Sequence, residues 1–217
     1  MSISMSSGYI SWMAKALSEN DNVASVTVKE NRTLQVITTK GNMYCIGGVN
    51  TGSINYHDLY EYLEDKDVDL LSIQGGVDFI TGDALDLLDS KSIGFDSFGR
   101  IAASLEYDRP HEQLDKEHMF INRVFRQHQE VSAVRRETNK KYRLERYGLD
   151  DLLIVVVNDY DMTAEAVRNA IDIHGACDIV FSSNPNGRLT SQSKEAAKSM
   201  GLEIYKLKDL LIRIAKK

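Results

Sequence analysis

Shifted by 109 residues, the chain overlays itself without a gap. DLLSIQGGVDFITGDALDLLDSKSIGFDSFGRIAASL falls on DIVFSSNPNGRLTSQSKEAAKSMGLEIYKLKDLLIRI. Asp69 meets Asp178, Thr81 meets Thr190, and Ser90 meets Ser199. Apolar positions agree along the whole stretch, as in Leu70/Ile179, Ile80/Leu189, Phe95/Ile204 and Leu105/Ile214. Two unrelated β-α-β-α units would share some of this pattern. The ungapped length favours duplication of one α/β unit.

The rest of the chain is read around that repeat. Ile10, Met13 and Leu17 mark one face of a first helix. VASVTVKE, TLQVITT and NMYCI read as three strands, and Leu59, Tyr62 and Leu63 share a face of the next helix. The first half, residues 1–107, then runs α-β-β-β-α-β-α-β-α. Residues 108–150 read as a polar and basic helical connector, with one long helix from Met119 to about Tyr147. Residues 151–217 begin with the buried run LLIVVV and form the second α/β half. The expected fold is α/β, with two similar halves joined by a long helix and mostly parallel sheets.

Hydrophobic residues make up 42% and charged residues 27% of 217, the balance of a globular protein. LLIVVV is too short to span a bilayer, and MSISMSSGYISWMAKAL does not read as a signal peptide. The expectation is a cytoplasmic protein with no membrane partner. Cys45 and Cys177 lie in or beside strands and are expected as buried free thiols; they lack the spacing of a zinc site. The net charge of −6 is uneven. Between Arg123 and Arg146 stand eight basic residues against Glu130, Glu137 and Glu145. That asymmetry points to an anionic partner or to an acidic protein surface.

The stretch SSNPNGRLTSQSKEAAKSMGLEIYKLKDLL joins a strand, a Gly-bearing turn, a Thr-capped helix, an Ile-rich strand and a Leu-rich last helix. It resembles the C-terminal part of Mrr-type restriction endonuclease domains, within the PD-(D/E)xK nuclease fold. SIQGGVDFITGDALDLLDSKSIGFDSFGRIAASL is its weaker echo, and the first half shows the same element order. The resemblance implies two restriction-endonuclease-like halves, nucleic-acid association, and a prokaryotic defence or DNA-metabolism setting. It also implies an acid on the second strand and an acid-x-Lys on the third, which together hold Mg²⁺ and position water. TLQVITT and NMYCIGG carry neither, so no catalytic residue is assigned and the fold reads as catalytically degenerate.

Three groups remain as candidate sites. Asn184, Asn186, Gly187 and Arg188 precede a helix start, where backbone N–H groups favour a phosphate; the same residues also read as a plain turn. Asp159 and Asp161 follow a buried strand and would hold a hard cation such as Mg²⁺, or cap the helix near Thr163. No other cofactor is indicated. Arg135, Arg136, Lys140, Lys141, Arg143 and Arg146, with Tyr142 and Tyr147 between them, would track a nucleic-acid backbone or lie on an acidic protein surface. His111, Asp115 and His118 share a face if their segment is helical, a metal-like spacing that reads more simply as a solvated linker.

The leading expectation is therefore a nucleic-acid-associated, catalytically degenerate protein. The alternatives are a non-catalytic protein-interaction or regulatory oligomer, and a Mg²⁺-dependent nuclease using the second half.

Overall fold

The computed structural model describes residues 7–216. The chain divides into two compact units, Met1–Lys116 and Glu117–Lys217. Unit 1 runs α1 (Ser7–Ser18), β1 (Val23–Val28), β2 (Leu34–Thr38), β3 (Met43–Val49), β4 (Ser53–Ile54) and α2 (Tyr56–Leu63). It continues with β5 (Leu70–Ile73), β6 (Phe79–Ile80), α3 (Gly82–Ser90), β7 (Gly94–Ser97), α4 (Phe98–Ser104) and a 3₁₀ turn at Pro110–Gln113. Its five-stranded sheet has the order β1-β2-β3-β5-β7. The first three strands are antiparallel, and β5 and β7 join parallel to β3. The short strands β4 and β6 pair parallel beside it.

Unit 2 repeats this plan. It runs α5 (Lys116–Arg126), β8 (Val131–Arg136), β9 (Lys141–Arg146), β10 (Leu149–Val157), β11 (Asp161–Met162) and α6 (Ala164–His174). Then come β12 (Ile179–Ser182), β13 (Arg188–Leu189), α7 (Ser191–Ser199), β14 (Glu203–Lys206) and α8 (Leu207–Ile214). The sheet order is β14-β12-β10-β9-β8, which is the unit 1 order read from the other edge. Strand senses also agree, down to a parallel β11–β13 pair.

Each sheet is covered on both faces because its parallel strands are apolar on both. In unit 1, Leu70 packs with Ile10, Met13, Leu17 and Ile101, while Leu71 packs with Leu59, Tyr62, Leu85 and Leu88. In unit 2, Ile179 packs with Ile121, Phe125, Leu210 and Ile214, while Val180 packs with Val167, Ala170 and Ala197. Among the described residues no helix is long and apolar enough to cross a membrane.

The identical residues of the self-overlay make matching bonds. The carboxylates of Asp69 and Asp178 each accept from a strand N–H, of Cys45 and of Leu153, at 2.7 Å. Ser90 Oγ donates to Leu87 O and Ser199 Oγ to Ala196 O, both at 2.8 Å. Thr81 and Thr190 are both helix N-caps. Thr190 Oγ1 accepts from Ser193 N at 3.1 Å, whereas Thr81 Oγ1 turns to Asp83.

Residues 108–150 correct the expectation of a long connecting helix. They hold a 3₁₀ turn, α5, and the hairpin β8–β9, and all but the first part belong to unit 2. The governing period here is two. Tyr142, Leu144 and Arg146 point inward from β9, while Lys141, Arg143 and Glu145 point outward. The outward charges mask that alternation in the sequence. Asp115, at φ 48°, breaks the chain between His111 and His118, so those side chains share no helix face.

Candidate functional site

In open α/β sheets ligands bind beyond the carboxyl ends of the parallel strands. Both units present such an edge, with the start of a first helix beside it. In unit 1 this edge is an open cavity of about 410 Å³. Its aromatic wall is Tyr9 and Trp12 of α1 and Phe98 of α4. Trp12 is 53% exposed, stacks on Tyr9 at 5.8 Å and 12°, and meets Phe98 edge-on at 4.6 Å. Below, Tyr9 Oη and Ser72 Oγ share a buried hydrogen bond of 2.7 Å. Burial raises the Tyr9 phenol above its ordinary value, against the lowering effect of Ser72. Past the end of β5, Gln74 is followed by Gly75 (φ 80°) and Gly76 (φ 100°), a left-handed pair that favours glycine.

Gly48 of β3 lets α1 come this close, and Gly47 does the same for α2 on the other face. A Cβ on Gly48 would stand 2.5 Å from Met13 Cε and 2.9 Å from Ile10 Cδ1. One on Gly47 would stand 2.7 Å from Tyr62 Oη. That phenol accepts from Gly48 N at 3.1 Å, and burial pushes its pKa up to about 12.

The matching edge of unit 2 is occupied by its own side chains. Glu117, in the place that Tyr9 takes in unit 1, pairs with Lys140 and accepts from Ser183 Oγ at 2.5 Å. Burial opposes its charge, but Lys140, Ser183 and Asn158 outweigh it and hold the carboxyl below its usual range. His118 stands where unit 1 has Ile10. It stacks on Tyr142 at 5.7 Å, with Nδ1 2.9 Å from Tyr142 Oη. Burial, then Arg136 and Arg126, lower its pKa to about 3. Lys206, in the place of Ser97, donates to Gly187 O at 2.6 Å and Pro185 O at 3.1 Å, closing the turn beneath it.

The basic residues singled out in the sequence are largely engaged within unit 2. Arg135 pairs with Glu145 at 2.7 Å but keeps 72% of its side chain exposed. Lys140 pairs with Glu117, and Lys141 with Glu137 at 3.4 Å. Arg143 bridges Glu137 and Asp151. Arg136 donates to Asn139 O. Arg146 is buried and donates to Asp150 O, Ile214 O and Lys216 O at 2.7–2.8 Å. Tyr142 is buried in the core, while Tyr147 is exposed.

Asp161 and Arg188, assigned to metal and to phosphate, meet each other across β11 and β13. Arg188 donates to both Asp161 oxygens at 2.8 and 3.1 Å. Asp159 is exposed, and its carbonyl lies 2.7 Å from where a Cβ on Gly187 would stand. Gly187 is therefore required by close approach and not by a left-handed φ. Asn184 Oδ1 accepts from Asn186 N at 3.0 Å and organises the turn. The cap of α6 is Thr163 itself, accepting from Ala166 N at 3.1 Å, and neither aspartate serves it. Among the described residues no group of three His, Cys, Asp or Glu side chains gathers to hold a metal.

No protein-family model, no characterised protein and no solved structure matches the chain. The site must be read from its own geometry. Sequence reasoning missed Tyr9, Trp12, Phe98 and Glu117. One signal was present: Tyr9 and Trp12 are three apart on one border of the Ile10–Met13–Leu17 stripe, Tyr9 buried beside it and Trp12 half toward solvent.

Proposed function

We propose that this chain is a binding protein that does not cut: two restriction-endonuclease-like units, derived by duplication, in a nucleic-acid-associated role. The observation that carries the non-catalytic reading is the third strand of each unit. In unit 1 it ends in Gly47-Gly48-Val49, with the space above the glycines filled by Met13, Ile10 and Tyr62. In unit 2 the matching residues Val155 and Val156 are buried. Neither strand has room for an acid-x-Lys at this end. The pairing of Asp161 with Arg188 further weighs against a Mg²⁺ site in unit 2.

The nucleic-acid role rests on the resemblance and on charge. Unit 2 is net basic, with 17 basic and 14 acidic residues, and exposes Arg123, Arg126 and Arg135. The test is anisotropy of labelled single-stranded and duplex DNA against salt, with an Arg123→Glu, Arg126→Glu, Arg135→Glu variant. The expected result is binding that weakens steeply with salt, with a shallower salt slope in the variant. Identical curves for parent and variant overturn the role of this surface, and Mg²⁺-dependent cleavage by the parent overturns the non-catalytic reading.

A second reading, a protein-interaction or regulatory oligomer, is favoured by one observation. Lys140, Lys141 and Arg143 are already ion-paired within unit 2. Light scattering that shows a salt-sensitive oligomer without DNA binding selects it.

A further inference from the structure

We infer that the cavity of unit 1 is a binding site for a planar, uncharged heteroaromatic ring of nucleobase type. Three properties of the cavity lead there. Its size, about 410 Å³, lies within the range of small-ligand sites. Its walls offer faces for stacking, since Trp12 is held by Tyr9 and Phe98 yet stays half exposed. A side chain ordered before binding loses little freedom on binding. Opposite, Gly75 and Gly76 leave a backbone wall without side chains, and nothing lies within 4 Å of where their Cβ atoms would stand. A flat ring fits such a slot, and a branched aliphatic group leaves the aromatic faces unused.

The polar groups at the cavity select the ring further. Gln74 brings an amide with both donor and acceptor, and Ser97 brings a hydroxyl. Those groups match the mixed donor and acceptor edge of a base. No charged side chain lines the cavity among the described residues. Unit 1 also carries 18 acidic against 9 basic residues. A phosphate gains no partner here and meets an unfavourable field. The ring is therefore held by stacking and edge contacts, with its sugar toward solvent. At the matching edge of unit 2, Glu117 binds Lys140 and Ser183, and Lys206 binds the carbonyl of Gly187.

Trp12 is the sole tryptophan, so its fluorescence reports on this cavity alone. The experiment titrates the full chain with adenosine, guanosine, cytidine and uridine, and with the corresponding 5′-monophosphates. The expected result is saturable quenching by at least one nucleoside at or below the order of 1 mM, and no tighter binding of its monophosphate. Phe98→Ala should weaken it by at least about fivefold, the low end for loss of one stacking partner. Gln74→Ala removes an exposed side chain without touching the core, and should alter the ranking of the nucleosides. Absence of saturable quenching by all four nucleosides overturns the inference. So does quenching that neither variant changes, or tighter binding of the monophosphate. The site does not depend on the DNA-binding role of unit 2: quenching without salt-sensitive DNA binding leaves it intact, and the reverse pattern removes it alone.

Discussion

At the same corner of the same topology, unit 1 places Tyr9 and Ser97 where unit 2 places Glu117 and Lys206. In unit 1, Gly8, Gly75, Gly76 and Ser97 leave an opening walled by Tyr9, Trp12 and Phe98. In unit 2 the long polar side chains reach into the edge and satisfy one another. The difference shows that one topology carries two unlike strand-end edges. The sheet depends on apolar positions at offset 109 and on the Asp69 and Asp178 tethers, and these agree between the units. The strand ends depend on nothing the sheet needs.

Acid should separate the units most strongly. His118 and His174 of unit 2 have folded pKa values near 3 and 4, lowered first by burial. Unfolded histidine binds its proton near pH 6.5, so the unfolded state takes up more protons throughout the window below that. Stability of unit 2 is then complete above about pH 6.5 and is lost as pH falls toward the folded values. Glu117, with its lowered pKa, adds a loss of the same sign below the ordinary carboxylate value. Discounted for partial exposure, the total is on the order of 2–4 kcal/mol by pH 4. Circular dichroism should lose amplitude in acid before Trp12 fluorescence in unit 1 changes. Coincident transitions would break the contrast.

Gly48→Val is the next largest expected effect. It places in unit 1 the residue type that unit 2 carries as Val156. The added carbons collide with Met13 and Ile10, so unit 1 should lose about 1–3 kcal/mol. Urea melts followed by Trp12 fluorescence should move to lower denaturant. An unchanged midpoint would mean that α1 is free to retreat, and that glycine is not what sets its distance.

The smallest effects test what the units share. Asp69→Asn and Asp178→Asn each weaken one charged acceptor on a strand N–H, at exposed positions, for about 1 kcal/mol apiece. Hydrogen exchange at Cys45 and Leu153 should speed up by similar factors in the two variants. A large effect in one unit alone would show that the identical residues have parted in role.

Much of the fold was legible because burial repeats. Leu70 and Leu71 face opposite cores, as do Ile179 and Val180, and each pair reads as a strand covered on both sides. Thr163 and Thr190 mark helix starts, and Gly175 (φ 76°) marks a helix end. The hairpin β8–β9 was not legible. Its outward charges Arg135, Arg143 and Glu145 dominate the letters, and only Tyr142 and Leu144, two apart, carry the strand period. The candidate sites were the least legible. Asp161 and Arg188 look like two separate ligand groups, and only the pairing of β11 with β13 brings them together. Trp12 and Phe98 lie 86 residues apart, and only the packing of α1 and α4 on one face joins them.

The most direct test of the contrast between the two edges is an amide and indole NMR spectrum of the full chain with the nucleoside that quenches Trp12. The expected result is shifts at the Trp12 indole and at the Gly75 and Gly76 amides, with Ser183, Asn184 and Glu117 unmoved. Shifts at the unit 2 residues, or at both edges alike, would contradict it.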